Sequence, residues 1–212
     1  MRRIYTVGLT GQTGAGKSSV CQLLRQAGIP VIDADRAARE VVGEGKQCLA
    51  DLALEFSIGI LNADGTLNRR KLAAIAFSDK RRLERLNAIT FPYIRQLIAE
   101  RIDQLDKAGK YDLVVIDAPT LFESGTDKMC DFVVSVIAPK EERLSRIIIR
   151  DRLTDEQARE RMGAQQEDAF YIDRSDVTLR NDGDQAALSA KATELMTLLR
   201  ENAAGRRAEA RP

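Results

Sequence analysis

The 212-residue chain sets 33 lysines and arginines against 32 aspartates and glutamates, a net charge of +1, and 44% of its residues are hydrophobic. This is the composition of one globular body with a sizeable core and room for an inserted lobe. Near-neutral charge excludes a broad attraction to nucleic acid or a membrane surface, so an anionic ligand has to be met by a local cluster, which favours a small phosphorylated molecule.

The chain has no histidine. A Ser-His or Cys-His relay is therefore excluded, as is an imidazole-ligated metal, and base chemistry at neutral pH falls to a carboxylate or to a perturbed Lys, Tyr or Cys. Cys21, Cys48 and Cys130 are odd in number and lack metal-ligand spacing, so they read as free thiols in a reducing cytosol. The opening Met1-Arg2-Arg3-Ile4-Tyr5 places basic residues before apolar ones, but Gly8 cuts the run short of a signal peptide, and no later run is expected to span a bilayer.

In chain order, Ile4 to Leu9 reads as an apolar first strand. It leads into Gly11-Gln12-Thr13-Gly14-Ala15-Gly16-Lys17-Ser18, a match to G-x-x-x-x-G-K-[ST], with Ser19 and an amphipathic helix to about Gln26 behind it. Strand, glycine loop and helix start in this order define a site for a nucleoside triphosphate. The glycines let successive N–H groups turn toward phosphate oxygens, Lys17 adds a positive charge at the β- and γ-phosphates, and the Ser18 hydroxyl suits Mg²⁺. A second strand, Pro30-Val31-Ile32, ends in Asp33-Ala34-Asp35, on the rim where open α/β sheets keep their ligands. One of these aspartates caps the following helix, Arg36 to Val42, and Asp35 is the better placed.

From Asp35 to about Lys110 the pattern is helical throughout: Lys46 to Phe56, a turn at Asn62-Ala63-Asp64-Gly65, a helix capped by Asn68, another from Ser78, and a longer one from Tyr93 to Asp106 opened by Pro92. A crossover between parallel strands needs only about a dozen residues, so residues 35 to 107 are expected to form an inserted lobe, either holding a second substrate or covering one sheet face. Tyr111 to Asp117 is a third strand, apolar enough to be buried on both faces, and its terminal Asp117 resembles a Walker-B carboxylate able to hold Mg²⁺ directly or through water. Phe132 to Ile137 is a fourth strand. Pro139 then opens a helix whose Arg143, Arg146 and Arg150 share one face, and Thr154-Asp155-Glu156-Gln157 is a capping-box start for a helix carrying Arg159 and Arg161. Such arginine density suits a lid over a transferring phosphate, or a solvated face paired with Glu141, Glu142, Asp151 and Asp155. Val177 to Arg180 is a last strand, and Asn181-Asp182-Gly183 is either a rest for a purine or a plain turn. Leu188 to Leu199 closes the chain as a helix, and residues 203 to 212 are expected to fray.

Taken together, the glycine loop, Asp33-Ala34-Asp35, Leu86-Asn87-Ala88-Ile89-Thr90-Phe91-Pro92, Asp117-Ala118-Pro119-Thr120-Leu121-Phe122-Glu123, the segment from Arg146 to Gln165 and Asn181-Asp182-Gly183 resemble the successive blocks of the dephospho-CoA kinases. The resemblance covers nearly the whole chain. It implies an α/β P-loop three-layer fold with a five-stranded parallel sheet, an inserted helical substrate lobe at residues 35–107, a core of residues 1–34 and 108–202, and a helical lid at about 143–165. It further implies ATP-dependent phosphorylation of the ribose 3′-hydroxyl of dephospho-CoA, the last step of coenzyme A synthesis, with Mg²⁺, in the cytoplasm. Asp33 falls on the family's proposed base, Arg146 and Arg150 on its lid arginines, and Asn181 on its adenine-side turn. The partners expected are the small molecules ATP and dephospho-CoA, with neither nucleic acid nor membrane, for a monomer or weak homo-oligomer. Two positions depart from the family pattern: Phe91 stands where His is usual before the proline, and Thr120 where Leu is usual. Another small-molecule kinase of this class, for a nucleoside or a sugar acid, would share the loop but not the helical blocks. A GTPase-like switch lacks footing, because Asp117 is followed by Ala-Pro-Thr in place of Asp-x-x-Gly and no Asn-Lys-x-Asp segment occurs.

Overall fold

The computed structural model of the chain describes residues 4–209. Its elements divide between two compact units, one formed by residues 1–32 and 102–212 and the other by Asp33–Arg101.

The first unit is built on a five-stranded sheet of β1 (Tyr5–Gly11), β2 (Val31–Asp33), β3 (Leu113–Asp117), β4 (Phe132–Ile137) and β5 (Val177–Arg180), in the order β2-β3-β1-β4-β5. Strand β1 runs parallel to both β3 and β4, with Leu9 opposite Asp117 and Gly11 opposite Val136, and β4 runs parallel to β5 with Ile137 opposite Arg180. Every residue of β1 is buried, including Thr6 and Thr10, as expected of a central parallel strand covered on both faces. The strand order reverses at β1, so the crevices beside its carboxyl end are where such a sheet keeps a ligand. Helices α1 (Lys17–Gln26), α6 (Lys140–Asp151), α7 (Asp155–Gly163), the short α8 (Asp168–Ile172) and α9 (Gln185–Glu209) belong to this unit. Val20, Cys21 and Leu24 of α1 and Leu188, Leu195, Leu199 and Ala203 of α9 join Val7, Leu9, Val115, Val134 and Val136 in one hydrophobic core.

The fraying expected from residue 203 is not seen in residues 203–209, which are helical. Helix α9 continues to Glu209, Ala203 is 2% exposed, Arg206 pairs with Asp131 and lies over the Tyr5 ring, and Arg207 pairs with Asp112 at 2.5 Å. Buried alanine holds the last turns where no large apolar residue announces them. Residues 210–212 lie outside the described residues.

The second unit is helical: α2 (Ala34–Glu40), α3 (Gln47–Phe56), a 3₁₀ turn at Ile58–Ile60, α4 (Arg69–Ala76) and most of α5 (Lys80–Ala108). Ala37, Val41, Val42, Cys48, Leu49, Leu52, Phe56, Ile60, Leu72, Ala76, Ile94 and Ile98 are its buried hydrophobic residues. Asn68 caps α4 by accepting from the Lys71 N–H at 3.0 Å, as expected. Two expectations are corrected. Asp33, rather than Asp35, caps the first helix, which begins at Ala34 with no intervening loop. Pro92 does not open a helix but lies inside the 29-residue α5. Its missing N–H orphans the carbonyl of Ala88, and since both residues are exposed, water can meet that carbonyl while the stripe Ile94, Ile98, Ile102 keeps the helix continuous.

Candidate active site

The loop after β1 follows directly from its sequence. Gly14 and Gly16 have φ of +76° and +101°, and Gly16 is the N-cap of α1 with no side chain capping it. The first N–H groups of a helix have no intrahelical acceptor. Here Lys17 and Ser18 begin α1, and among the described residues the N–H groups of Gly14 and Gly16 donate to no protein group. The result is a row of backbone donors at the positive end of a helix dipole, an arrangement that binds phosphate.

Lys17 is paired with Asp117, each side chain 13% exposed. The partnership follows from the register, which sets the carboxyl end of β3 beside β1. Cys21, one helical turn after Lys17, lies in the same place: burial, and then the neighbouring Asp117 carboxylate, push its thiol well above the ordinary range. Ser18 is exposed at the mouth of the loop, and its hydroxyl and the Asp117 carboxylate are both hard oxygen donors, the kind Mg²⁺ prefers. No group of three or more Cys, Asp or Glu suited to a metal occurs among the described residues.

The segment around α6 and α7 touches the loop at several points. Arg146 donates to the Gly14 carbonyl at 3.4 Å and to Glu142 at 2.6 Å, and Arg150 donates to Thr13 Oγ1 at 3.4 Å while paired with Asp151. Each of these arginines thus keeps a carboxylate partner while also reaching the loop. Arg159 and Arg161 pair with carboxylates, Asp155 and Asp151 respectively. Thr154 and Gln157 form the expected capping box at the start of α7.

Arg143 does not share the outer face. It is buried beside Leu144 and Ile147, its backbone packs against Gly14, and its nearest carboxylate, Asp168, stands 4.0 Å away. Burial draws the guanidinium below its ordinary pKa. The chain also contributes residues that its pattern did not single out. Gln165 Oε1 accepts from the Thr13 N–H at 2.8 Å, and Gln12 Nε2 donates to the Gln166 carbonyl at 2.9 Å. A cavity of about 490 Å³ lies beside these contacts, lined by Gln12, Arg143, Arg159 and Gln165 among others.

The first unit therefore brings together Gly11 to Ser19, Asp117, Arg146, Arg150 and Asn181. Asn181 is buried, and its amide nitrogen donates to the Ala15 carbonyl at 2.8 Å. Asp33 belongs to the second unit, where its Oδ1 accepts from the Arg36 N–H at 2.9 Å and fixes the carboxylate as a helix cap.

A parallel sheet with a phosphate-binding loop after its central strand, a lysine in that loop and arginines over it define a P-loop small-molecule kinase. The family model described as dephospho-CoA kinase matches residues 5–187. The dephospho-CoA kinase of Moorella thermoacetica is 40% identical over 187 residues, 88% of each chain. Among solved structures, the dephospho-CoA kinase from Campylobacter jejuni superposes with a TM-score of 0.70 at 26% identity, over 95% of this chain and 100% of that one. A Thermus thermophilus structure does so at 0.78 and 31% identity, over 92% and 97%. The chain belongs to the dephospho-CoA kinase family, whose reaction is the ATP-dependent phosphorylation of dephospho-CoA in coenzyme A synthesis.

Proposed function

We propose that the chain transfers the γ-phosphoryl group of ATP to the ribose 3′-hydroxyl of dephospho-CoA, giving coenzyme A and ADP. The observation that carries this reading is the row of unpartnered N–H groups at Gly14, Gly16 and the start of α1, with Lys17 at its foot. Phosphoryl transfer asks a protein mainly for positioning and charge neutralisation. The loop amides hold the β- and γ-phosphates. Lys17, kept near the loop by Asp117 before the nucleotide arrives, turns its ammonium to the same oxygens. Arg146 and Arg150 neutralise charge developing on the transferred group. The acceptor oxygen forms its bond to the γ-phosphorus as the bond to the β–γ bridging oxygen breaks, and the hydroxyl proton passes to Asp33, whose capping bond engages Oδ1 and holds the carboxylate in one orientation. Ser18 and Asp117 are the residues that would hold Mg²⁺, which supplies charge neutralisation at the phosphates when bound.

ADP release coupled to a spectrophotometric readout, with and without dephospho-CoA, tests the reading, with uridine and gluconate as rival acceptors. Preference for either rival over dephospho-CoA would overturn it. A base is worth about 10² to 10⁴ in rate, so Asp33→Asn is expected to lower turnover by about that factor with ATP affinity nearly intact. Unchanged turnover would remove Asp33 from the mechanism.

A further inference from the structure

The residue following β5 reaches back to the phosphate loop. The Asn181 N–H donates to the Ile137 carbonyl at 2.8 Å, extending the β4–β5 pairing by one residue and fixing where the side chain starts. The side chain is buried, the residue being 5% exposed, and its Nδ2 donates to the Ala15 carbonyl at 2.8 Å. It also lies so close to the loop that a Cβ built on Gly16 would stand 2.3 Å from Nδ2. The turn is braced from behind: Lys191 Nζ donates to the Arg180 carbonyl at 2.7 Å and to Asp182 Oδ1 at 2.6 Å.

Peptide planarity turns this contact into a statement about phosphate binding. The Ala15 carbonyl and the Gly16 N–H belong to one rigid trans unit and point in opposite directions. When Asn181 pins the carbonyl on its own side, the Gly16 N–H has to face the other way. That N–H donates to no protein group among the described residues, and it stands next to the donors of Lys17 and Ser18. Gly16, at φ +101°, is the residue type that permits this orientation.

We infer that Asn181 is a positioning residue for the triphosphate, acting through the Ala15–Gly16 peptide, and that its amide nitrogen does not read the nucleotide base. This rests on the reading that the loop binds ATP. It differs from a base contact in what it predicts: a strut for the loop matters equally to every ligand with a polyphosphate, whatever is attached to it.

The test measures binding of Mg-ATP, Mg-GTP and inorganic tripolyphosphate to the full chain and to its Asn181→Ala and Asn181→Asp variants, alongside thermal melts and ATP kinetics. The isosteric Asp keeps the packing and presents an oxygen to the Ala15 carbonyl, so it isolates the hydrogen bond should the Ala variant fold poorly. The expected result is a loss of about tenfold for ATP and tripolyphosphate alike. The ATP to GTP ratio should stay unchanged, and KM for ATP should rise while kcat at saturation moves by less than about threefold. Loss of ATP binding with tripolyphosphate unaffected would assign Asn181 to the base and overturn the inference, as would unchanged affinity for both ligands in a folded Asp variant. Failure of the unsubstituted chain to bind ATP or tripolyphosphate would instead sink the functional reading beneath it.

Discussion

Gly16→Ala probes the loop through its geometry alone. Two penalties add. A β-carbon at φ +101° is strained, and the left-handed conformation costs an L-residue roughly 1–2 kcal/mol. The new Cβ would also stand 2.3 Å from Asn181 Nδ2, a buried amide that can retreat only by abandoning the Ala15 carbonyl. Leaving a buried group unpaired costs about 1–3 kcal/mol. The sum is about 2–5 kcal/mol, a large share of the ~5–15 kcal/mol that holds a typical protein folded, and at ~2–4 °C per kcal/mol it lowers the melting temperature by roughly 4–20 °C. Gly28→Ala supplies the control. Gly28 has φ +79° but nothing within 4 Å of where a β-carbon would stand, so only the backbone strain of roughly 1–2 kcal/mol remains. Urea titrations of both variants, extrapolated linearly, are the assay. The double variant Gly16→Ala/Asn181→Ala should be less destabilised than the sum of its singles, because the clash disappears with the amide. A Gly16→Ala variant no less stable than Gly28→Ala would refute the packing argument.

Removing residues 203–212 should lower stability by about 1–3 kcal/mol without changing kcat: the two arginine pairs are half-open to solvent and contribute at most about 1 kcal/mol each, and the buried Ala203 adds less than about 1 kcal/mol. An unchanged denaturation midpoint would show that the last turns of α9 contribute nothing. Cys48 gives a pH signature. Burial, with Asp51 second, pushes its thiol up to about 11 from an ordinary value of 9.0. The folded chain therefore keeps a proton that the unfolded chain gives up above pH 9.0, so the Cys48 contribution is complete below that pH and is lost as pH rises toward 11. Cys48→Ala should flatten the fall in stability across that window, read from denaturation midpoints at each pH, and an unaltered slope would place the loss elsewhere.

The strands and the phosphate loop were legible because both are local patterns. An unbroken apolar run marks a parallel strand buried on two faces, and G-x-x-x-x-G-K-[ST] encodes its own backbone geometry. The helix boundaries that failed did so for identifiable reasons. Asp33 and Asp35 are equally good caps by residue type, and what decides between them is that β2 runs straight into α2. The closing stripe Leu188, Ala192, Leu195, Leu199, Ala203 is periodic throughout, but an alanine at its end carries too little apolar surface to stand out from a charged tail. Arg143 shares the helical spacing of Arg146 and Arg150, and no sequence signal separates a buried arginine from an exposed one, because arginine is so seldom buried.

What the sequence could not carry was partnership over distance. Gln165 meets Thr13 across 152 positions and Asn181 meets Ala15 across 166, and neither glutamine nor asparagine has a spacing that announces such a bond. The pairing of Lys17 with Asp117 belongs to the same kind. Residue type assigns the lysine to phosphate and the carboxylate to Mg²⁺, yet the two side chains are paired with each other. Two opposite charges at 13% exposure lose much of their hydration, and the pairing compensates for it while keeping the ammonium at the foot of the loop. On the proposed reading, a triphosphate with its cation would replace both partners at once, anion to Lys17 and cation to Asp117, so that neither charge would be left uncompensated. On this argument Asp117→Asn should leave an unpaired ammonium beside the loop and weaken Mg-ATP more than it weakens ATP without the metal, a difference that titration with and without a chelator would reveal. Equal weakening of both would show that Asp117 serves Lys17 alone.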